Sequence, residues 1–258
     1  NRQAMPLINM GWSPTYFWDG RSVTLEQQVE EPITNPIEMA ENWQTALAEL
    51  ANDPIYPPLF YKAFGSTEIT KEGVVKAIAS FMRTMISANS KFDKQRIGQY
   101  VFTPSEFNGY TLFLTEGGSP DQVPGGSFGA DCFHCHNGPL MQVKKFSNNG
   151  LMPNSMNDLG RAHVTNNPED NYKFKVPTLR NIELSAPYMH DGRFANLDEV
   201  IEFYSSGIHM SPTIDPLIEF GSQGGVQLDA SEKLLLKKFL LTLTDYNFIN
   251  NPKFSDPN

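Results

Sequence analysis

Apolar residues recur every three or four positions in several separate stretches of the chain, which is the pattern of amphipathic helices. In the first hundred residues one stretch covers 37–50, and Asn35-Pro36 before it is typical of a helix start. A second stretch covers 74–86, with Thr70 as its N-cap. Three prolines between the two stretches predict an irregular connection: Pro54, Pro57 and Pro58.

The helical pattern restarts near residue 103 and returns twice before the chain ends. Thr103 as N-cap and Pro104 at the first helical position predict a helix there. A later stretch, 197–204, carries its apolar residues on one face. The last predicted helix starts at Asp229, with Glu232 three residues on, as in a capping box.

The predicted fold class is all-α with long loops, because no stretch alternates convincingly between apolar and polar residues. A chain of 258 residues can form two ordinary domains. We place the domain boundary between residues 102 and 103, where the helical pattern restarts. Residues 117–126 are rich in Gly and Pro and are predicted to form a surface loop, and residues 137–180 show little periodicity, as expected of loops around a cofactor.

The charge of the chain limits its partners. A formal net charge of −9 argues against nucleic acid or an anionic membrane surface, and it suits a basic protein as partner. No apolar run is long enough to span a bilayer, so no transmembrane segment is expected. The first residues carry no signal-peptide pattern, so the expectation is a chain that is mature or cut.

The chemistry is concentrated in Cys132-Phe133-His134-Cys135-His136, which contains both cysteines of the chain. Two thiols three residues apart, followed at once by histidine, are typical of haem c attachment: each thiol forms a thioether with the haem, and His136 ligates the iron. A disulfide, a thioredoxin-like redox pair and a zinc site are the alternatives. The first two leave His136 without a role, and in the third His134 would point elsewhere. Haem c is attached outside the cytoplasm, so the motif also predicts export.

Six stretches spread over nearly the whole chain together carry a resemblance to a known family: FWDGR at 17–21, LEQQ at 25–28, NPIEM at 35–39, CFHCHNGP at 132–139, KVPTLRN at 175–181 and APYMHDG at 186–192. The combination resembles the bacterial dihaem cytochrome c peroxidases, which include the MauG-type enzymes. The resemblance implies two cytochrome-c-like domains, each with its own haem c. Residues 1–102 would be the C-terminal part of the first, peroxidatic domain, which is incomplete, and residues 103–258 the second domain with the electron-transfer haem. Members of the family carry two such haem motifs, and this chain has only the second. The expectation is that the first motif, with the peroxidatic haem, belongs to a missing N-terminal part.

Three residues of the first hundred receive roles from the resemblance. Glu38 would be the acid and base of peroxide cleavage, with Gln28 beside it holding peroxide or water. Trp18 would lie between the two haems and help electrons pass. Without the resemblance, Glu38 would be interpreted as a carboxylate in the first turn of a helix, Gln28 as an exposed helix residue and Trp18 as a core aromatic.

The resemblance also implies which residues would ligate the haem iron and a calcium ion. Tyr204 matches the position of the distal ligand of the second haem in MauG-type members; otherwise it continues the apolar face of its helix, and Met189 or Met210 would ligate instead. The family also binds calcium, and the matched positions are Gln3, Ser185 and Pro187. Oxygen ligands suit this cation, although Gln3 stands where asparagine is usual.

The function implied is that of a periplasmic dihaem peroxidase that reduces hydrogen peroxide to water with electrons from a small cytochrome or cupredoxin. The alternative within the family is a MauG-type enzyme that oxidises side chains of a partner protein through a high-valent bis-haem state. A single-haem electron-transfer protein is the alternative from another class, and the length of the chain counts against it. The oligomeric state is open, with a homodimer as one expectation.

Overall fold

The structure is a computed structural model that describes residues 2–117, 128–154 and 157–255. Within these ranges the chain is rich in helices, and its strands are the two-residue segments β1 (Phe146–Ser147) and β2 (Phe174–Lys175), which pair antiparallel. This agrees with the predicted all-α class. Backbone contacts divide the chain into two compact units. The small unit is residues 7–86, and the large unit combines residues 2–6 with the described residues from 87 onward.

The small unit contains α1 (Leu25–Thr34), α2 (Trp43–Asn52), α3 (Tyr56–Phe64) and α4 (Lys71–Thr84). α1 and α4 each begin at a threonine whose hydroxyl accepts a hydrogen bond from a first-turn N–H, Thr24 and the predicted Thr70. The two helices share a core of apolar side chains: Leu25, Val29, Ile33, Val75, Ala79 and Met82. The pattern analysis missed α1, because its apolar stripe has only these first three residues and Pro32 lies within it.

The helix predicted over 37–50 is wrong in its first part. Asn35 ends α1 as its C-cap, and the chain then turns, with Ala40 in the left-handed region at φ 53°. α2 starts only after Asn42, whose side chain accepts a hydrogen bond from the Gln44 N–H at 2.7 Å. The apolar spacing therefore continues through a segment in which the backbone is not helical.

The prolines after α2 start a helix instead of interrupting the chain, so the predicted irregular connection is wrong there. Pro57 and Pro58 lie in the first turn of α3, where the missing N–H groups cost no helical hydrogen bond. The helix ends at Gly65, which has φ 76°. A second core links this helix to its neighbours through Phe60, Ile69 and Val74.

The large unit contains six helices within the described ranges: α5 (Lys91–Arg96), α6 (Pro104–Leu114), α7 (Ala162–Thr165), α8 (Leu197–Ser206), α9 (Ala230–Leu241) and α10 (Tyr246–Ile249). Helices α6 and α9 cross closely at Gly109. A Cβ atom at this position would lie 2.0 Å from the carbonyl oxygen of Leu235, so only glycine fits. None of the helices in either unit, as far as they are described, has the length and apolar character needed to cross a membrane.

The compact units divide earlier in the chain than the pattern predicted, between residues 86 and 87. The reason is packing: Phe92 and Phe102 lie in the same core as Phe113 and Phe239. Phe92 and Phe102 are each within about 6 Å of the Phe239 ring, measured between ring centroids, in edge-on contacts. The assignment of residues 1–102 and 103–258 to two haem domains stays a prediction.

The predicted helix starts of the large unit are confirmed. Thr103 and Glu106 form a capping box at α6, with the Glu106 carboxylate accepting from the Thr103 N–H at 2.8 Å. Asp229 and Glu232 do the same at α9, with reciprocal bonds of 2.9 and 2.8 Å. The loop predicted over 117–126 falls on residues that lie, apart from the first, outside the described ranges.

Candidate functional site

The two cysteines and His136 are brought together by a tight turn. Cys132–His134 form a single 3₁₀ turn, and the N–H groups of Cys135 and His136 both point to the Cys132 carbonyl, at 3.3 and 2.9 Å. The turn places the three side chains of the motif within five consecutive residues of one compact segment. Neither cysteine forms a disulfide.

The imidazole of His136 is held in its neutral form. Its Nδ1 lies 3.3 Å from the Met141 carbonyl oxygen, and because a carbonyl only accepts, Nδ1 carries the proton. Burial lowers the pKa of His136 to about 4, against the opposing effect of this hydrogen bond. At neutral pH the Nε2 lone pair is therefore available to a metal, and the second ring nitrogen is anchored in the way typical of metal-binding histidines.

The loop that anchors His136 is itself held by residues 178–180. The Thr178 hydroxyl donates to the Leu140 carbonyl at 2.6 Å, and the Arg180 Nε donates to the Pro139 carbonyl at 2.6 Å. Arg180 is 4 % exposed and binds both oxygens of Asp93, at 2.8 and 2.6 Å. The KVPTLRN stretch thus has a physical role, because it fixes the carbonyl that orients His136.

The thiols are in their protonated form. Burial raises the pKa of Cys132 and of Cys135, and nearby carboxylates raise both further. A thioredoxin-like pair needs a lowered thiol pKa, so this environment disfavours that alternative. A zinc site that uses the two thiols is disfavoured as well: among the described residues, the group of three or more close ligand atoms consists of Glu116, Asp131 and His134, and neither cysteine belongs to it.

Tyr204 on α8 lies near enough to the two cysteines for an electrostatic interaction with them. Burial is the main reason why the pKa of its phenol is raised to about 12, and the neighbouring cysteines act in the same direction. Asn149 opposes this shift, because its Nδ2 donates to the phenol oxygen at 3.0 Å. The predicted ligand Tyr204 and the haem motif are therefore brought into one region of the large unit.

The two methionine alternatives lie in different surroundings. Asn149 Nδ2 is also 3.7 Å from the sulfur of Met189, so Met189 belongs to the same cluster as Tyr204. Met210 is 58 % exposed, and its sulfur lies against Gly221. Pattern reasoning missed Asn149, because it stands in an aperiodic stretch and carries no signal of its own.

These residues fit a haem c. Two protonated thiols can form the thioethers of haem c and a neutral imidazole can ligate its iron, and the phenol of Tyr204 lies near them. Phe133, Leu179 and Ile182 pack beside them against the apolar core of the large unit, as a macrocycle with an apolar body needs.

The three predicted residues of the small unit lie at different depths. Trp18 is partly buried. Gln28 lies on α1, and its side-chain oxygen Oε1 is buried and has no hydrogen-bond partner among the described residues. Glu38 is exposed in the turn after α1 and accepts a hydrogen bond from Asn35 Nδ2 at 2.8 Å. It is not in the first turn of a helix, so that alternative interpretation is wrong.

Two of the three residues predicted to bind calcium, Gln3 and Pro187, lie next to Gly192. A Cβ atom there would lie 3.6 Å from Gln3 Oε1 and 3.3 Å from Pro187 Cγ. The Gln3 N–H donates to the His190 carbonyl at 2.8 Å, which ties residues 2–6 into the large unit. The Ser185 hydroxyl donates to the Ile182 carbonyl at 3.2 Å. A calcium site at these residues stays a prediction.

Comparisons with known proteins agree with these features. The model of the di-haem cytochrome c peroxidase family matches residues 1–100. A cytochrome c551 peroxidase of Nitrosomonas europaea is 38 % identical, over 77 % of this chain and 57 % of that protein. The methylamine utilization protein MauG of Paracoccus denitrificans is 31 % identical, over 90 % of this chain and 68 % of that protein. A crystal structure of a MauG-like protein associated with microbial copper homeostasis matches with a TM-score of 0.86 and 32 % identity, over 99 % of this chain and 79 % of that one.

The chain spans about 57 % of the length of the Nitrosomonas peroxidase and 68 % of that of the Paracoccus MauG. The matches cover both units. The resemblance that the six sequence stretches indicated is therefore confirmed: the chain belongs to the dihaem cytochrome c peroxidase family, which includes the MauG proteins.

Proposed function

We propose that the chain binds haem c through Cys132, Cys135 and His136 and takes part in the reduction of hydrogen peroxide. Haem c is the cofactor of the family, and relatives are named cytochrome c peroxidases. The observation that carries the proposal is the state of His136, a neutral imidazole whose Nδ1 is anchored on Met141, in one turn with two protonated thiols.

When bound, the haem supplies an iron that takes up and passes on single electrons. His136 Nε2 would ligate the iron. Tyr204 would offer a phenolate oxygen as a second ligand, and the Asn149 hydrogen bond favours that ionised form. An anionic oxygen ligand stabilises the ferric state, so this pair would give a low reduction potential.

The small unit would supply the groups that act on peroxide. The reduction of one hydrogen peroxide molecule consumes two electrons and two protons and yields two water molecules, so a proton must reach the leaving oxygen. Glu38 would take the proton from one peroxide oxygen and deliver it to the other. Gln28, whose Oε1 lacks a partner among the described residues, would accept a hydrogen bond from peroxide or water.

A dihaem peroxidase needs a second haem. The two cysteines of this chain both belong to one attachment motif, so they account for one haem. On the family resemblance, Trp18 would pass electrons between the haems, and Gln3, Ser185 and Pro187 would hold calcium through oxygen atoms. The periplasm is the proposed location, and the electron donor would be a small basic cytochrome or a cupredoxin, which the net charge of −9 would attract.

A second candidate function is the oxidation of a partner protein in the manner of MauG. The position of Tyr204 beside the cysteines favours it, because a phenolate ligand helps to stabilise oxidised iron. Steady peroxide turnover with a reduced cytochrome would support the peroxidase. Slow turnover, together with oxidation of a partner's side chains, would support the MauG-type enzyme.

The decisive experiment uses the haem-loaded native protein. Haem content and mass come first: one haem on an intact 29.0 kDa chain, with no further fragment, would contradict the dihaem part of the proposal. Peroxide turnover is then measured for Glu38→Gln, with Glu49→Gln as control, because Glu49 is an exposed glutamate of the same unit. We expect Glu38→Gln to lower kcat by about 10²-fold and the control to leave it unchanged. Equal rates for both variants would remove Glu38 from the mechanism.

A further inference from the structure

Three side chains converge on one point at the edge of the haem-binding turn. Glu116 follows α6, and Asp131 and His134 flank Cys132. His134 Nε2 lies 3.0 Å from Glu116 Oε2 and 3.2 Å from Asp131 Oδ1. All three ligand atoms lie within 4.8 Å of one another.

Hydrogen bonding within this group leaves one atom unsatisfied. The single N–H at His134 Nε2 can serve only one oxygen, and its bond goes to Glu116. Asp131 has a side chain that is 8 % exposed, and its Oδ1 receives no hydrogen bond from an N–H or hydroxyl group in the described ranges. The carboxyl groups of Asp131 and Glu116 interact with each other, and burial together with this interaction raises the pKa of Asp131 to about 7. A buried carboxylate oxygen without a donor is costly. Glu219 adds a further negative charge close to Asp131 and His134.

The backbone holds the three residues in place. The Asp131 N–H donates to the Thr115 carbonyl at 3.1 Å, and the Gly129 N–H donates to the Glu116 carbonyl at 2.8 Å. A Cβ at Gly129 would lie 2.3 Å from the Thr115 carbonyl oxygen, so the close approach of the two segments requires glycine. The carboxylates are therefore brought together by the fold and not by a chance contact of two flexible side chains.

We propose that Glu116, Asp131 and His134 bind a divalent transition cation, with Zn²⁺ as the probe. One imidazole and two carboxylates form a ligand set for such ions, and a water molecule would complete four-coordination. Ligand bonds of roughly 2.0–2.1 Å in a tetrahedron separate neighbouring ligand atoms by about 3.3 Å. The separations of 3.0 and 3.2 Å need to grow by only a few tenths of an ångström to meet this value.

The site would be separate from the haem iron but tied to it through the chain. His134 stands between the two cysteines, so a cation bound there would brace the turn that carries the haem. The imidazole ligand disfavours Ca²⁺ and Mg²⁺, which prefer all-oxygen sites. The site therefore differs in residues and in ligand chemistry from the calcium site that the family resemblance implies.

The test is calorimetric titration of Zn²⁺ into the haem-loaded protein after treatment with a chelator. We expect one tight site, weakened at least about tenfold by Glu116→Gln and by His134→Ala. The matched control His209→Ala removes an exposed histidine elsewhere in the large unit and should leave the tight site intact. The haem absorption spectrum of each variant verifies that the fold is preserved.

Glu116→Gln keeps the test decisive even if His134→Ala fails to fold, because the Glu116 side chain is 60 % exposed and its replacement disturbs little packing. Anomalous diffraction at the zinc edge should place the ion between the three ligand atoms. The absence of a tight site, or an affinity that Glu116→Gln leaves unchanged, would overturn the proposal.

Discussion

Asn149 is the residue on which the distal side of the candidate haem site depends. Its Nδ2 donates to the Tyr204 oxygen at 3.0 Å and lies 3.7 Å from the Met189 sulfur. Burial and the thiols favour the neutral phenol, and the hydrogen bond from Asn149 favours the phenolate. One amide group thus touches both candidate ligands, and it favours the oxygen in its ligating form.

The variants Tyr204→Phe and Met189→Leu together test which residue ligates the haem iron in addition to His136. In the haem-loaded protein we expect Tyr204→Phe to change the absorption spectrum of the ferric haem, because the phenolate ligand is lost. Met189→Leu keeps the volume of the side chain and should leave the spectrum as it is. The reverse pattern would assign the iron to Met189. If neither variant alters the spectrum, both residues are excluded.

At the scale of elements, the crossing of α6 and α9 sets the position of the haem-binding turn. The chain leaves α6 and returns to it directly before the motif, where the Ala130 N–H donates to the Leu112 carbonyl at 2.8 Å. Tyr110 and Phe113 of α6 each lie 5.0 Å from Phe239 of α9, measured between ring centroids. The turn is thereby fixed to a rigid pair of helices.

Gly109→Ala should disrupt this crossing. The added Cβ would lie 2.0 Å from the Leu235 carbonyl, so the helices must move apart, at a cost of about 2–3 kcal/mol. We expect Tm to fall by roughly 5–10 °C in a thermal melt followed by circular dichroism. Asn108→Ala is the control, because Asn108 is the exposed neighbour in the same helix. A Tm for Gly109→Ala equal to that of the control would show that the crossing is loose.

At the scale of the whole molecule, the net charge of −9 bears on the choice of electron donor. Exposed charges act over about 30 Å at 10 mM ionic strength and over about 8 Å at 150 mM. Attraction between this chain and a basic protein should therefore raise their rate of encounter most strongly at low salt.

The peroxide-dependent oxidation of a reduced basic cytochrome should slow by roughly tenfold when ionic strength rises from about 10 to 200 mM. Stopped-flow kinetics at low donor concentration measures this rate. An acidic carrier of the same size serves as comparison and should show no such decrease. A rate with the basic cytochrome that is independent of salt would mean that net charge does not steer the encounter.

Much of the architecture was predictable from local rules. Thr70, Thr103 and Asp229 start helices where their spacing indicated, because an N-cap bonds to N–H groups only two or three residues away. The same rules failed near Glu38, where apolar spacing continues through a turn, and at Pro57, where proline begins a helix. In both places the pattern fitted more than one backbone. Ile37 and Met39 are exposed at 71 % and 65 %, so apolar spacing there does not mark a packed helix face.

The sequence by itself determined the family and the haem motif, because Cys132, Cys135 and His136 are adjacent in the chain and their spacing carries the chemistry. Only the tertiary structure decided what surrounds them. The Met141 carbonyl that orients His136, the amide of Asn149 beside Tyr204, and the meeting of Glu116 with His134 depend on loops without periodicity. Such contacts require a folded core to hold both partners, and no rule of spacing along the chain encodes them.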